Sequence, residues 1–202
     1  MTDPFRSGFG GGLDLPAAPA SARRYRLGAL LGRGAMGEVY EAVDTVLGRT
    51  VALKVLAGDA PPGAAERLRR EATLMAGLEH HGIVAVHDAA ELDDGRPCYA
   101  MRLVRGATFT DAIRARRADG PAGVRALLTI AEAVAFAHAA GVLHRDIKPD
   151  NVLIGELGEA LLSDWGVARR LDAPEGEAEA AHVASPQLTR LGARVGTPAW
   201  MA

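Results

Sequence analysis

Between residues 25 and 56 apolar and polar positions alternate in three short runs, at 25–31, 38–44 and 49–56. Glycine-rich turns at 32–37 and 47–48 separate them. A period of two broken by such turns predicts three consecutive strands. From 61 to 78 the spacing lengthens. Leu68, Ala72 and Met75 fall on one side of a helix, with Arg67, Arg69 and Arg70 largely outside it. Two more strands are predicted at 83–89 and 98–104. After Gly106 the pattern is mainly helical, with a short helix at 110–117, a long one at 123–140 and a β-hairpin near 152–163. Five strands and one helix followed by helices is a two-lobed α+β order. No internal repeat is visible.

Composition narrows the classes of function. The 202 residues are 49% hydrophobic and 24% charged, which is a globular composition with ample Ala, Leu and Val for a core. A formal net charge of −2 gives no electrostatic case for nucleic acid, which calls for a basic face. The single cysteine, Cys98, excludes an internal disulfide, fits a reducing cytoplasm and is expected to be a small buried apolar residue. No uninterrupted apolar run reaches the length of a membrane span. The longest candidate, 126–143, contains Glu132 and His138 and reads as a buried helix. The first 22 residues are rich in Gly, Ala and Pro without a continuous apolar stretch. They read as a disordered leader, extended to residue 24 in the domain division, and not as a secretory signal. The acidic, Ala-rich stretch 172–184 is not expected to hold a fixed structure alone.

Three sequence signals carry chemistry. The first is Gly32-Arg33-Gly34-Ala35-Met36-Gly37-Glu38-Val39. Glycines at this spacing permit positive φ and let backbone amides approach phosphate oxygens. In a dinucleotide-binding turn such glycines lead from a strand into a helix, whereas here 39–43 continues as a strand, so a hairpin lid is preferred. The second is Val51-Ala52-Leu53-Lys54, because a lysine ending a buried strand is costly unless an anion meets it. Glu71 in the following helix is the natural partner. The third is His144-Arg145-Asp146-Ile147-Lys148-Pro149-Asp150-Asn151, followed after an interval by Asp164-Trp165-Gly166. Asp146 can accept a hydroxyl proton, Lys148 can neutralise a transferring phosphoryl group, and Asn151 and Asp164 can hold a metal. Phosphoryl transfer asks for little else beyond positioning and charge neutralisation. Among 23 lysines and arginines, Lys54 and Lys148 are the only lysines. A compact ammonium in a tight phosphate site is not replaced by a planar guanidinium.

In order and spacing these motifs resemble the protein kinase signature, in particular the bacterial branch of eukaryotic-type serine/threonine protein kinases, from about Tyr25 to the last residue. The resemblance implies a bilobal fold: an N-lobe and hinge over 25–105, and a C-lobe over 106–202 that is incomplete within the activation segment. It implies ATP and Mg²⁺ as cofactors and the Ser/Thr hydroxyls of proteins as acceptors. On the nucleotide side it implies that Gly32, Gly34 and Gly37 cover the phosphates while Leu31, Val39, Ala52, Val104 and Leu153 enclose the adenine. Met101 resembles the gatekeeper, and the stretch to Gly106 resembles the hinge. Lys54 and Glu71 form the ion pair of the active state, Asp146 is the catalytic base, Lys148 assists at the γ-phosphate, and Asn151 and Asp164 hold Mg²⁺. Arg145 is a cation awaiting a loop phosphate, with Thr189 first and Ser185 second as the expected autophosphorylation sites. Thr197, within Gly196-Thr197-Pro198-Ala199-Trp200-Met201-Ala202, is expected to bond the catalytic Asp and Lys. A dimer for trans-autophosphorylation and a cytoplasmic location are further implications, and a membrane anchor after residue 202 is compatible with them.

The sequence departs from the family pattern in three places. Trp165 replaces the usual Phe, Arg102 stands where an acidic hinge residue is frequent, and Ala202 ends the chain where a Pro-Glu pair is expected. Two alternatives compete with the enzyme reading. A non-catalytic pseudokinase or docking module is opposed by the complete set Lys54, Asp146, Asn151 and Asp164. A small-molecule phosphotransferase is opposed by the Lys-Pro after the base and by the 196–202 loop. His80-His81 lacks a third ligand at metal spacing, His87 and His138 are expected to be packing histidines, His144 to be structural, and Arg114, Arg116 and Arg117 to be a solvated helix face.

Overall fold

The computed structural model describes residues 24–34 and 37–172. Strands β1 (Tyr25–Arg33), β2 (Gly37–Asp44) and β3 (Arg49–Leu56) lead into helix α1 (Ala64–Ala76) and strands β4 (Val86–Glu91) and β5 (Pro97–Met101). These strands form one antiparallel sheet in the order β1-β2-β3-β5-β4. The chain continues through β6 (Gly106–Thr108), α2 (Phe109–Arg114), α3 (Pro121–Ala139) and β7 (Val142–Leu143). A 3-10 turn (Pro149–Asn151) then precedes β8 (Val152–Gly155), β9 (Ala160–Leu162) and β10 (Arg169–Arg170). β6, β8 and β9 make a second sheet, and β7 pairs with β10. The architecture is the α+β, protein-kinase-like arrangement expected from the sequence.

Local chemistry explains the main elements. The β2–β3 turn closes because the Asp44 carboxylate accepts the amides of Val46 and Leu47, while Gly48, at φ 64°, donates its amide to the Asp44 carbonyl. In β3, Val51, Leu53 and Val55 turn one way and pack with Ala42, Cys98 and Ala100. Ala52 and Lys54 turn the other way, as strand alternation requires. Cys98 is buried in this core, and burial pushes its thiol up to about 11, so it stays a neutral packing group. α1 buries Leu68, Glu71, Ala72 and Met75, the side predicted from spacing, with Glu71 added to it. Thr108 caps α2 by accepting the Asp111 amide at 3.1 Å. A larger core joins α1, Tyr99 of β5, Ala126, Ile130, Ala133 and Ala137 of α3, Leu161 and Leu162 of β9, and Trp165.

Several boundaries differ from the sequence reading. The strand expected at 83–89 starts only at Val86, because Ile83 and Val84 leave the five-stranded sheet. There, Val84 donates its amide to Leu162 and Leu162 donates to Gly82, at 3.1 and 2.8 Å. The strand expected to reach Val104 ends at Met101, and β6, β7 and β10 are too short for their periodicity to register. Arg24, counted above with the leader, belongs to the fold through Asp44 and Asp88. His87 and His138 are exposed, so neither is the packing residue expected. The helix expected to be buried is buried on one side only. Val124, Leu127 and Leu128 of α3 are 59–65% exposed, since no described element packs against them. By length and composition α3 passes for a membrane span, but its Ala126–Ala137 side is core. The leader through residue 23, Ala35 and Met36, the acidic stretch after Asp172, and Ser185, Thr189 and Thr197 lie outside the described residues.

Candidate active site

Sheet register alone assembles half of the site. Gly32 of β1 pairs with Val39 of β2, Val39 with Lys54 of β3, and Lys54 with Tyr99 of β5. The neighbouring row is Glu41, Ala52 and Met101. Cross-strand partners share a face, so both rows line one side of the sheet. That side forms the roof of a cleft of ≈ 700 Å³. Its floor and far wall come from residues 103–108, Leu153, Asn151, Ser163 and Asp164. Leu31, Gly32, Gly34, Gly37, Val39, Ala52, Lys54, Met101, Val104, Leu153, Asn151 and Asp164, all expected around a nucleotide, line this single cleft.

The glycines have different roles from one another. A Cβ at Gly37 would sit 2.6 Å from the Val55 carbonyl oxygen, so strand packing itself demands glycine there. Gly32 meets nothing within 4 Å, and none of the three has a left-handed φ, so the positive-φ part of the sequence reading does not hold. A Cβ on Gly106, where the hinge stretch ends, would collide with the backbone of Ile154.

Lys54 Nζ donates to both Glu71 oxygens, at 2.7 and 2.9 Å, and lies 3.5 Å from Asp164 Oδ1. Burial works against its ammonium, but the Glu71 and Asp164 carboxylates outweigh it and hold Lys54 above its ordinary value. It is therefore a fixed cation at the inner end of the cleft. The Glu71 side chain is 1% exposed and stands behind Lys54, away from the cleft surface.

A second cluster hangs on residues 144–151. Lys148 Nζ donates to Asp146 Oδ2 at 2.8 Å. Asn151 Nδ2 donates to the Asp146 carbonyl at 2.8 Å and to Oδ2 at 3.1 Å. Both contacts use the amide nitrogen of Asn151, which leaves its amide oxygen as the donor atom available to a cation. The Asp146 backbone N–H donates to His144 Nδ1, so Nε2 carries the imidazole proton and donates to the Ser163 carbonyl at 3.1 Å. Burial keeps the His144 pKa below its ordinary value and the ring neutral. Ser163 donates its amide and its hydroxyl to the Asn151 carbonyl, at 2.8 and 2.9 Å, which ties this cluster to Asp164 one residue on. Asp164 adopts φ 57° with its carboxylate 54% exposed on the cleft.

Arg145 stands apart from these groups. Its Nε donates to the Val167 carbonyl at 2.7 Å, its φ is 67°, and burial together with Arg169 lowers its pKa. Trp165 is 1% exposed, packs its ring on His144 at 4.5 Å and leaves its indole nitrogen without a partner among the described residues. Arg102 reaches Glu159 at 3.1 Å, so the residue in the place of an acidic one makes an ion pair of its own. Sequence reasoning missed two participants. Tyr99 donates its hydroxyl to Glu71, and a hydroxyl-bearing aromatic in the apolar run before Met101 was the signal available. Ser163 had no signal, because its role comes from the backbone of a neighbouring turn.

A family model described as the protein kinase domain matches residues 25–202. Among curated proteins, the chain is 42% identical over 160 residues to serine/threonine-protein kinase PknA of Mycobacterium tuberculosis, covering 74% of this chain and 36% of that protein. It is 39% identical over 181 residues to serine/threonine-protein kinase PknH of Mycobacterium bovis, covering 88% and 28%. To serine/threonine-protein kinase PknD of Protochlamydia amoebophila it is 34% identical over 204 residues, covering 91% and 21%. The chain thus spans well under half the length of these curated relatives.

Proposed function

Because the chain belongs to the protein kinase domain family, for which ATP is the phosphoryl donor, we propose that it transfers the γ-phosphoryl group of ATP to serine or threonine hydroxyls of proteins. The observation that carries this reading is the convergence on one cleft of Lys54, bound to Glu71 and Asp164, with the Asp146–Lys148–Asn151 cluster beside it. Such an arrangement offers a cation for the phosphates, a carboxylate for a hydroxyl proton and two oxygen donors for a divalent ion.

In the proposed reaction the acceptor hydroxyl oxygen forms a bond to the γ-phosphorus. The bond from that phosphorus to the β–γ bridging oxygen breaks, ADP leaves, and the hydroxyl proton passes to the Asp146 carboxylate. Lys148, bonded to that carboxylate, offers its ammonium to the moving phosphoryl group. Lys54 holds the non-transferred phosphates, and Glu71 fixes Lys54. The apolar rows of the sheet, with Val104 and Leu153, enclose the base. Mg²⁺ fits the donor set, since the Asn151 amide oxygen and the half-exposed Asp164 carboxylate are the hard oxygen ligands this ion takes alongside phosphates and water. When bound it supplies charge neutralisation on the phosphate oxygens.

In the same reading residues 25–105 and 106–202 are the two lobes. Arg145 receives a phosphate on Thr189 or Ser185, placed there by a second copy in a transient dimer, and Thr197 contacts the base and Lys148. The location is the cytoplasm, on the ground of one buried thiol. The test is phosphate transfer from labelled ATP to a generic basic protein, set against a panel of aminoglycosides, sugars and choline. Protein labelling is expected, and Asp146→Asn should lower it by about 10²–10⁴-fold. Labelling of a small molecule alone, or unchanged turnover in the variant, rejects the assignment.

A further inference from the structure

Tyr99 sits in the middle of β5 and is 2% exposed. Its backbone pairs with Lys54 of β3 on one side and Ala89 of β4 on the other. Its hydroxyl leaves the sheet and donates to Glu71 Oε1 at 2.9 Å, the oxygen that also receives Lys54 at 2.7 Å. Met75, one turn further along α1, places its sulfur 3.8 Å from the same hydroxyl, and the Lys54 ammonium stands 5.9 Å from the centre of the Tyr99 ring. One side chain therefore bonds one member of the ion pair, turns its ring face toward the other and reaches two successive turns of α1.

We propose that Tyr99 is a positioning residue for phosphoryl transfer, its hydroxyl locking α1 against the sheet through Glu71 and so fixing Lys54 over the phosphates. The proposal rests on the function proposed above, because what α1 positions is the phosphate-facing lysine.

The physical basis is an asymmetry between the docked and displaced positions of α1. With α1 docked, the buried carboxylate of Glu71 has the Lys54 ammonium and a phenol as partners. With α1 displaced, the phenol of Tyr99 loses both of its protein acceptors, Glu71 and Met75, and giving up a buried hydrogen bond to a charged group is costly. A phenylalanine would fill the same space and contribute nothing to that difference. Burial and the Glu71 charge push the Tyr99 phenol well above its ordinary pKa, so it remains a donor throughout the physiological range. The docked state is thereby favoured from within the sheet, before any loop phosphate or partner acts on α1.

The test is Tyr99→Phe in the full chain, which removes only the hydroxyl. Without nucleotide, amide hydrogen exchange across α1 residues 68–75 is expected to quicken about tenfold, while residues 130–137 of α3 stay as in the parent. In the transfer assay kcat is expected to fall about fivefold with the KM for ATP within about twofold, the mark of a misplaced group rather than a lost binding contact. In a Glu71→Leu background, which has no acceptor for the phenol, the same substitution is expected to change kcat by less than about twofold, because the hydroxyl acts through Glu71. Unchanged exchange across α1 overturns the proposal, and so does an equal loss in both backgrounds. A parent chain that labels only small molecules sinks the functional reading instead, and the exchange measurement still decides the role of Tyr99.

Discussion

Asp44 and Glu71 are the two carboxylates buried in the described residues, and the strand alternation of β2 and β3 puts them on opposite faces of the same sheet. Asp44 is served mostly from nearby. It accepts the Val46 and Leu47 amides of its own turn and the Arg24 guanidinium, and Arg24 in turn bonds Asp88, which also takes the Tyr25 hydroxyl. Glu71 is served entirely from afar, by Lys54 on β3 and Tyr99 on β5. The first network closes on itself. The second keeps Lys54 open toward Asp164 and the cleft. Similar group types thus make a clamp on one face and, in the functional reading, a phosphate site on the other, and the difference is whether the cation lines the cleft.

Substitutions can separate the two. Lys54→Met is expected to lower phosphate transfer by about 10²–10³-fold and to lower the urea midpoint as well, because the buried Glu71 carboxylate keeps only the Tyr99 hydroxyl as a partner. Unchanged transfer in the folded variant would erase the distinction. Asp44→Asn, next in size, is expected to cost about 3 kcal/mol of unfolding free energy by leaving Arg24 without its buried partner, with kcat near that of the parent in the folded protein. A large kcat loss at full folding would place Asp44 in the catalytic group as well.

Acid should distinguish these regions a third way. Burial raises the Asp44 pKa, but the Arg24 guanidinium and the turn amides outweigh it and leave the group below 3.8. Its contribution is therefore complete above that value and is lost only as pH falls through its depressed folded pKa. His144, beside the catalytic cluster, is also depressed, from 6.5. Below about 6.5 the unfolded chain takes up a proton that the folded chain refuses, so stability begins to fall there and goes on falling toward the folded pKa. Urea titrations at successive pH values should show the first loss near pH 6.5, and His144→Phe should reduce that step, leaving the part that His80 and His87, also depressed by burial, contribute. The smallest effect is expected at Arg102→Ala. Its partner Glu159 is only part-buried and the guanidinium itself is exposed, so the cost should stay under about 1 kcal/mol by thermal unfolding.

The fold was legible wherever a period ran long enough to register. β2, β3 and α1 came out within a few residues because their alternation or helical spacing spans two turns or more. β4 was misplaced because Ile83 and Val84 are buried by a neighbour distant in sequence, and an apolar pair reads the same whichever strand covers it. Of the candidate site, the residues in contiguous motifs could be named in advance; Lys54, Asn151 and Asp164 line the cleft, while Asp146 and Lys148 are bonded together beside Asn151 and do not line it. Tyr99 could not be given a role, since its partner sits on another element and only three-dimensional register brings them together. The exposure of His87 and His138 was illegible for the same reason. Whether a histidine packs depends on what lies over it.

Gly82 bears on how the molecule moves. A Cβ there would lie 3.0–3.1 Å from Thr129 and Ala133, so this loop rests almost directly on α3 while its backbone is stitched to Leu162. Besides the shared side-chain core, the backbone of the sheet unit is consequently joined to the helical unit twice, once through residues 102–105 and once at this seam. A body pinned at two points keeps one easy rotation, about the line between the pins. Opening of the cleft should therefore be a swing about that axis, and spin-label distances on the two units would reveal a sliding or twisting component if this were wrong.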